Sequence, residues 1–565
     1  MTESTNQVAE NTAAKSAARI GWAILIAATL YVCYFSHLGA IGFVGPDEPR
    51  YAWVARDMAE TGDWVTPRLY GKPWFEKPPL FYWGAALCFK VFGVSEAAAR
   101  LPSAICALLA TLALAWLALR LYGAETARWL LLLLPTTVGM IGFSHAAATD
   151  MPFSGMLTIA MVAAAVVLGL IRNESTPILP RTPWLALVLF GFFLGLAVLA
   201  KGPAAIILCG GVVFFWALFT KRWRDAFRLL HPIAIATFCL IALPWYILCA
   251  RRNPDFFRVF IIEHNFKRYL TPEFQHIQPF WFYLPALLVA FLPWTGALIW
   301  TTVAGSARIA KTKSLSPQTS FLLSWSLFVL LFFTLSQSKL PGYILPAVPA
   351  LALLLTRGCA TLAVEHRKSF GASIAAFALL CFGISEFAAR PNLALNMVSQ
   401  SLQLGASFLL IVIVLANVLF AAGFFCTATR WVRNLMISLC VVPVLFTFLI
   451  ADELVLGLVP LSSRDLASQL LAQHVPTEQT FIYHGVSRGL RYSLSFYLSR
   501  EVPDWDQNPA AEAYVVSGSV RCSQLEKQGF QCKDVPLASS AWGWFVSHVT
   551  PKTSPSSLPR SGQAQ

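Results

Sequence analysis

Charge is what this chain has least of. Of its 565 residues, 12% are Asp, Glu, Lys or Arg, where a soluble protein of ordinary composition carries about a quarter. Most of the sequence consists of apolar runs with almost no charge inside them, which excludes a soluble globular fold. No Cys-x-x-Cys or Cys/His spacing is present, so a thiolate metal centre is excluded. No G-x-G-x-x-G and no phosphate-binding P-loop occurs, which argues against a soluble nucleotide donor. There is no internal repeat and no signal-peptide cleavage pattern; the uncharged run from Ile20 to Pro46 reads as an uncleaved first span. The net charge of +14 is not a nucleic-acid footprint, because the Lys and Arg fall mainly in short loops between the apolar runs.

What is present is a series of blocks long enough to cross a hydrocarbon core of about 30 Å as helices. They fall at 20–46, 101–119, 129–145, 151–171, 184–200, 203–220, 229–250, 279–303, 319–337, 341–356, 370–385, 404–425 and 434–451. The expected fold class is a polytopic α-helical membrane protein with about thirteen transmembrane helices. Leu80–Val94 is apolar but short and carries Lys90, so it reads as a helix lying in the interface. The basic loops alternate. Arg120 and Arg128, Lys221 to Arg228, Arg308 to Lys313, and Arg357 to Lys368 share a side with Lys15 and Arg19, which makes that side the cytoplasm.

The division expected along the chain is a cytoplasmic N-terminus at 1–19, a membrane domain at 20–455 and a small α/β domain at 456–551, with a disordered tail at 552–565. Within the membrane domain, 45–98 forms a first extracytoplasmic loop with interfacial helices. In the α/β domain, short strands are expected at Phe481–Val486, Ala513–Ser517 and Trp544–Val549. Helices are expected at Ser463–Leu471, Arg488–Arg500 and Ser523–Gly529. Cys522 and Cys532 stand apart from the other ten cysteines in lying in this polar region, where an oxidising compartment permits a disulfide.

Charge is concentrated in Gly45–Leu80, which holds Asp47, Glu48, Arg50, Arg56, Asp57, Glu60, Asp63, Arg68, Lys72, Glu76 and Lys77. Loop parity places Asp47, Glu48, Glu76, Lys77, Asp150, Lys201, Glu263, His264, Arg268 and Lys339 at one membrane face. Charges at span ends are costly if they face lipid, so they usually line a cavity or reach headgroups. Plainer accounts exist for each. Asp47 and Asp150 both sit where a helix N-cap is wanted. Lys77, Lys201 and Lys339 suit headgroup anchoring. His264 and Arg268 share one face of an expected interfacial helix at i, i+4.

Seven segments then carry a resemblance: DEPRY (Asp47–Tyr51), GDWVTPRLYGKPWFEKPP (Gly62–Pro79), ARLPSA (Ala99–Ala104), TDMP (Thr149–Pro152), LAKGP (Leu199–Pro203), EHNFKRY (Glu263–Tyr269) and SKLPGYILPAVP (Ser338–Pro349). In this order the chain resembles the lipid A aminoarabinose transferases and their relatives, the polyprenyl-phosphate-sugar glycosyltransferases of the membrane C-type (GT-C) fold. Protein O-mannosyltransferases are more distant members. The resemblance covers residues 20–360; beyond them only the layout matches.

It implies a donor sugar on undecaprenyl phosphate and an extracytoplasmic acceptor, lipid A first, with a protein or an envelope glycan as the alternative. It implies that Lys77 and Arg268 bind the donor phosphate, with Lys201, Lys339 and Tyr343 lining the cavity. It also implies that Glu76 and His264 hold a divalent ion of the Zn, Mg or Mn class, and that Asp47, Glu48 and Asp150 face the reacting sugar and acceptor. No organic cofactor and no nucleic-acid partner is expected. The rival from another class is a transporter of lipid-linked sugars; the clustering of charge at one face, rather than at the bilayer midplane, favours interfacial chemistry.

Overall fold

A computed structural model of the chain describes residues 2–171, 183–267, 269, 277–388, 400–425, 439–445, 462–483, 486–505, 512–518, 522–527, 530–537 and 545–551. Helices fall on the expected crossings from 20–46 to 404–425. They begin with α1 (Thr2–Phe35), α2 (Asp47–Thr61), α3 (Leu80–Phe92), α4 (Glu96–Tyr122), α5 (Ala124–Leu133), α6 (Val138–Ser144), α7 (Asp150–Val167), α8 (Trp184–Lys201), α9 (Ala204–Thr220), α10 (Trp223–Phe227) and α11 (Pro232–Arg252). Later crossings fall on Tyr283–Ala290 with Thr295–Thr312, Pro317–Leu335, Pro341–Glu365, Arg367–Ala388 and Gln400–Phe425. The last expected span, 434–451, is described only at 439–445, and the expected tail at 552–565 lies outside the described residues. Helix α1 runs unbroken from Thr2 through the expected N-terminal segment into the first crossing.

Among the described residues, six helices are long and apolar enough to cross a bilayer. Two bent pairs qualify if each counts as one span: α5 with α6 at 62°, and Tyr283–Ala290 with Thr295–Thr312 at 115°. This is a multi-pass membrane protein. Helix α3 has 13 residues, a length of about 20 Å at 1.5 Å per residue, which is too short to cross. The most enclosed span is α7, which packs between α4 and α8.

The opening loop folds as a unit against the ends of these spans. Helix α2 packs on α3, with Tyr51, Val54, Ala55 and Met58 buried against Phe81, Tyr82, Ala85 and Phe89. Between them lies a hairpin of β1 (Arg68–Leu69) and β2 (Lys72–Pro73), joined by Tyr70-Gly71 with both residues at positive φ, as a tight hairpin turn requires.

The loop is fastened by one buried ion pair. Arg100, 2% exposed in the second turn of α4, donates through Nε and Nη2 to the two oxygens of Glu48 at 3.0 and 2.8 Å. Its remaining donors reach the carbonyls of Leu38, Ile41 and Gly42. Glu48 in turn accepts from the backbone N–H of Val44 and Ala147 at 2.8 and 2.7 Å. One pair therefore ties the end of α1, the start of α2, α4 and the turn before α7.

The C-terminal region holds a four-stranded sheet of β3 (Thr480–Ile482), β4 (Ala513–Ser517), β5 (Phe530–Asp534) and β6 (Phe545–Pro551), in the order β3-β4-β6-β5. β3 and β4 are parallel and the other pairings antiparallel. Helices Arg464–Ala472, Arg488–Tyr497 and Cys522–Lys527 accompany it. Strand β5 was not foreseen from the sequence, because Phe530–Asp534 is short and polar. A disulfide joins Cys522 to Cys532 on it.

Removing one partner of a buried ion pair leaves an uncompensated charge and costs about 3–5 kcal/mol. Arg100→Ala should therefore lower the thermal unfolding midpoint of the detergent-solubilised protein sharply. The double replacement Arg100→Met with Glu48→Leu should recover much of that loss. A single variant as stable as the native chain would remove the pair from this role.

Candidate active site

The polar side chains foreseen at one face fall into two groups. The first is built on the opening loop. Arg50, one turn after Asp47 on α2, donates to the Asp47 carboxylate and, through Nη1 at 3.2 Å, to Glu76 Oε2. Its Nε is held by the Pro46 carbonyl at 2.9 Å. Lys77 Nζ stands 3.9 Å from the other oxygen of Glu76. Burial works against the charge on Arg50, but the Glu76 and Asp47 carboxylates prevail and hold its pKa above the ordinary arginine value. Burial, with Glu76 and Asp47 nearby, pushes the phenols of Tyr51 and Tyr82 well up, so both stay protonated beside this group.

Glu76 opens onto a cavity of about 520 Å³ whose lining includes Trp74, Arg252, Asn253, Asp255 and His264. His264 arrives on a π-helix, Arg258–Lys267, that follows α11. The interfacial helix expected here is thus wound more loosely than an α-helix, a form that recurs at functional sites. The wall is fixed at its rim by Asp63, which accepts from Arg68 and Arg252 at 2.7 and 3.1 Å. Trp74 carries a buried indole N–H with no hydrogen-bond partner among the described residues. An unpaired donor in a cavity wall is costly unless a ligand oxygen meets it.

The second group lies where α7, α8 and the Pro341–Ala347 turn converge. Lys201 Nζ donates to Asp150 Oδ1 at 2.6 Å and sits 4.5 Å from the Tyr343 ring centroid. Gly342 permits this packing: a Cβ there would fall 2.6 Å from Asp150 Oδ1.

Several expectations need correction. Asp47 and Asp150 are not N-caps; each lies in the first turn of its helix and its carboxylate takes an Arg or Lys partner instead. Glu48 is not placed for chemistry, since both its oxygens are occupied by Arg100 and two backbone N–H groups. Lys339 is buried and turned onto the Ser336 carbonyl at 2.6 Å within its own turn. Arg268 lies outside the described residues. Arg50 and Arg100 were visible as charges inside DEPRY and ARLPSA, yet neither drew a role. The i, i+3 spacing of Asp47 and Arg50 was the available signal.

Glu76 and His264 supply an oxygen and a nitrogen donor to one cavity, a set that zinc-, magnesium- or manganese-class ions accept. Among the described residues no third His, Cys, Asp or Glu joins them in a tight cluster. Both line the same cavity wall.

Residues 21–260 match the family model of dolichyl-phosphate-mannose-protein mannosyltransferases. The chain is 34% identical over 324 residues to the undecaprenyl phosphate-alpha-4-amino-4-deoxy-L-arabinose arabinosyl transferase of Aeromonas salmonicida, an alignment covering 57% of each. It is 31% identical over 373 residues to the enzyme of that name from an Enterobacter species, covering 64% of this chain and 66% of the relative. The chain thus spans under two thirds of the length of these curated relatives. In three dimensions it is similar to ArnT from Cupriavidus metallidurans, whose crystal structure is bound to undecaprenyl phosphate. The TM-score is 0.76 at 25% identity, over 94% of this chain and 98% of that one. The chain has the GT-C fold of membrane glycosyltransferases and is similar in sequence to the arabinosyl transferases over part of its length.

Proposed function

We propose that this protein transfers a sugar from an undecaprenyl-phosphate donor to an acceptor on the extracytoplasmic face of the inner membrane, and that the transfer is of 4-amino-4-deoxy-L-arabinose to a lipid A phosphate. The observation that carries the proposal is that Glu76 and His264 line one cavity, with the Glu76 carboxylate held between Arg50 and Lys77. The arabinosyl transferase relatives and the ArnT structure with undecaprenyl phosphate supply the substrate chemistry. The Cys522–Cys532 disulfide favours an oxidising compartment for the C-terminal sheet.

In the reaction the anomeric C–O bond to the lipid phosphate breaks, its electron pair stays on the phosphate oxygen, and an acceptor oxygen forms the new bond to the anomeric carbon. Negative charge grows on the departing phosphate, so fixed cations and donors aimed at it lower the barrier. Lys77 and Arg268 take that phosphate, and the Trp74 indole N–H in the cavity wall is a further donor. A divalent ion held by Glu76 and His264 would supply Lewis-acid charge to the phosphate oxygens. Arg50 keeps Asp47 and Glu76 apart as two aligned carboxylates. Asp47, whose side chain is 49% exposed, faces incoming substrate, and the Asp150–Lys201 pair with Tyr343 forms a second polar group. A lipid A phosphate is already anionic and needs no base. For a hydroxyl acceptor, the alternative that the mannosyltransferase family match favours, Asp47 would take the proton.

Mass spectrometry of lipid A and of glycoproteins from cells with and without the protein decides the acceptor. The expected result is a pentosamine added to lipid A only when the native chain is present, and its loss with Asp47→Asn at unchanged membrane insertion. A change confined to glycoproteins would overturn the lipid A assignment. Lys77→Ala should lower kcat by about 10²-fold, the effect of removing one charge-stabilising donor, and weaken undecaprenyl phosphate binding. Unchanged binding would reject its phosphate role.

A further inference from the structure

The C-terminal sheet region reaches back to the cluster around Arg50. The guanidinium carbon of Arg50 lies 5.2 Å from the Tyr492 ring centroid, 5.5 Å from Trp74 and 5.9 Å from Tyr51. Two of these rings belong to the opening loop, but Tyr492 belongs to helix Arg488–Tyr497, more than four hundred positions along the chain. With these rings around it, the Arg50 side chain is only 6% exposed. A cation enclosed by aromatic faces is attracted to the rings and kept from water, so its pairing with carboxylates is stronger and better aligned.

The helix that carries Tyr492 is locked to the loop. Tyr497 Oη accepts from the backbone N–H of Phe43 at 2.9 Å and donates to Glu96 at 2.8 Å. Phe496 meets the Phe43 ring edge to face at 4.8 Å. Arg464, on the preceding helix, donates to the carbonyls of Gly39 and Ala40. At the other end, Gly489 comes so close that a Cβ on it would lie 3.2 Å from the Gly45 carbonyl carbon. These contacts grip residues 39–45, which lead directly into Pro46 and Asp47. Tyr492 is itself held by stacking on Tyr70 of the hairpin turn, at 6.5 Å and 18°, and Tyr70 packs on Trp53 of α2 at 4.7 Å.

We propose that the C-terminal domain is a working part of the active site, and that Tyr492 is a positioning residue which holds Arg50 between Asp47 and Glu76. Tyr492 acts through Arg50 and does not touch the reacting atoms. The domain thereby couples its own docking to the alignment of two carboxylates that the transfer reaction uses. This inference rests on the active-site assignment proposed above, though not on the identity of the acceptor.

The test uses the full-length protein with Tyr492→Ala and Tyr492→Phe. In transfer assays, Tyr492→Ala should lower kcat on the order of tenfold, the scale of one desolvated cation–ring contact, with KM for both substrates changed less than about threefold. Tyr492→Phe keeps the ring and should restore kcat to within about twofold. A kcat for Tyr492→Ala within that range of native, or a Phe variant as impaired as Ala, would overturn the proposal. A second measurement needs no substrate. Phenylglyoxal modification of Arg50, followed by peptide mass spectrometry, should be slow in the native and Phe proteins and fast in Tyr492→Ala. Equal protection in all three overturns the proposal. A native chain that adds no sugar to lipid A, with Arg50 still unmasked by Tyr492→Ala, would instead overturn the acceptor assignment while supporting this one.

Discussion

The site depends on a buried charge pair that takes no part in the chemistry. Glu48 and Arg100 neutralise one another where α1 gives way to the opening loop, and between them they use five backbone groups, four from residues 38–44 and one from Ala147. A charge left alone at this depth would be expensive, so the arrangement is close to all-or-none. Once Glu48 is fixed, the neighbouring residues of α2 have little freedom. Asp47 and Arg50 are set on the adjacent turn, and Arg50 reaches across to Glu76. A membrane protein whose spans carry almost no charge has thus placed its polar chemistry on a rigid extramembrane loop and bolted that loop to the ends of its helices.

The division of labour among charges follows from burial. Arg100 and Glu48 are enclosed and satisfied, so they hold shape. Arg50 is enclosed by rings and bonded to carboxylates that border open space. Glu76 and His264 line the cavity, and Lys77 stands beside Glu76. Going outward, each layer keeps the next in register, and the half-exposed Asp47 is the most accessible acid in the series. The second group, Asp150 with Lys201 and Tyr343, is carried by the spans themselves and depends on the missing side chain at Gly342.

Much of this was legible in the sequence, for physical reasons. Apolar runs declare themselves because a bilayer admits little else, so helices stand where the crossings were expected. The density of charge in Gly45–Leu80 marked the loop, and Glu76 and His264 do border one cavity. The sequence was least informative about partners. Asp47 and Asp150 have the local signature of caps, and only tertiary contacts show their carboxylates bonded to Arg50 and Lys201. Glu48, next to Asp47, looked equivalent to it until Arg100 arrived from the following span. The loose winding of Arg258–Lys267 has no pattern that distinguishes it from an α-helix. Tyr492 was invisible, because nothing in an amphipathic helix near the C-terminus announces that one of its rings will cover a cation on the first loop.

The account stands on Glu76 and His264 sharing one solvent-facing cavity on one side of the bilayer. The direct measurement is labelling of Glu76→Cys and His264→Cys, each made separately, with a membrane-impermeant thiol reagent in sealed inverted and right-side-out vesicles. Both cysteines should react only in right-side-out vesicles, and undecaprenyl phosphate should protect both. Reaction of the two from opposite faces would contradict the shared cavity and the function built on it.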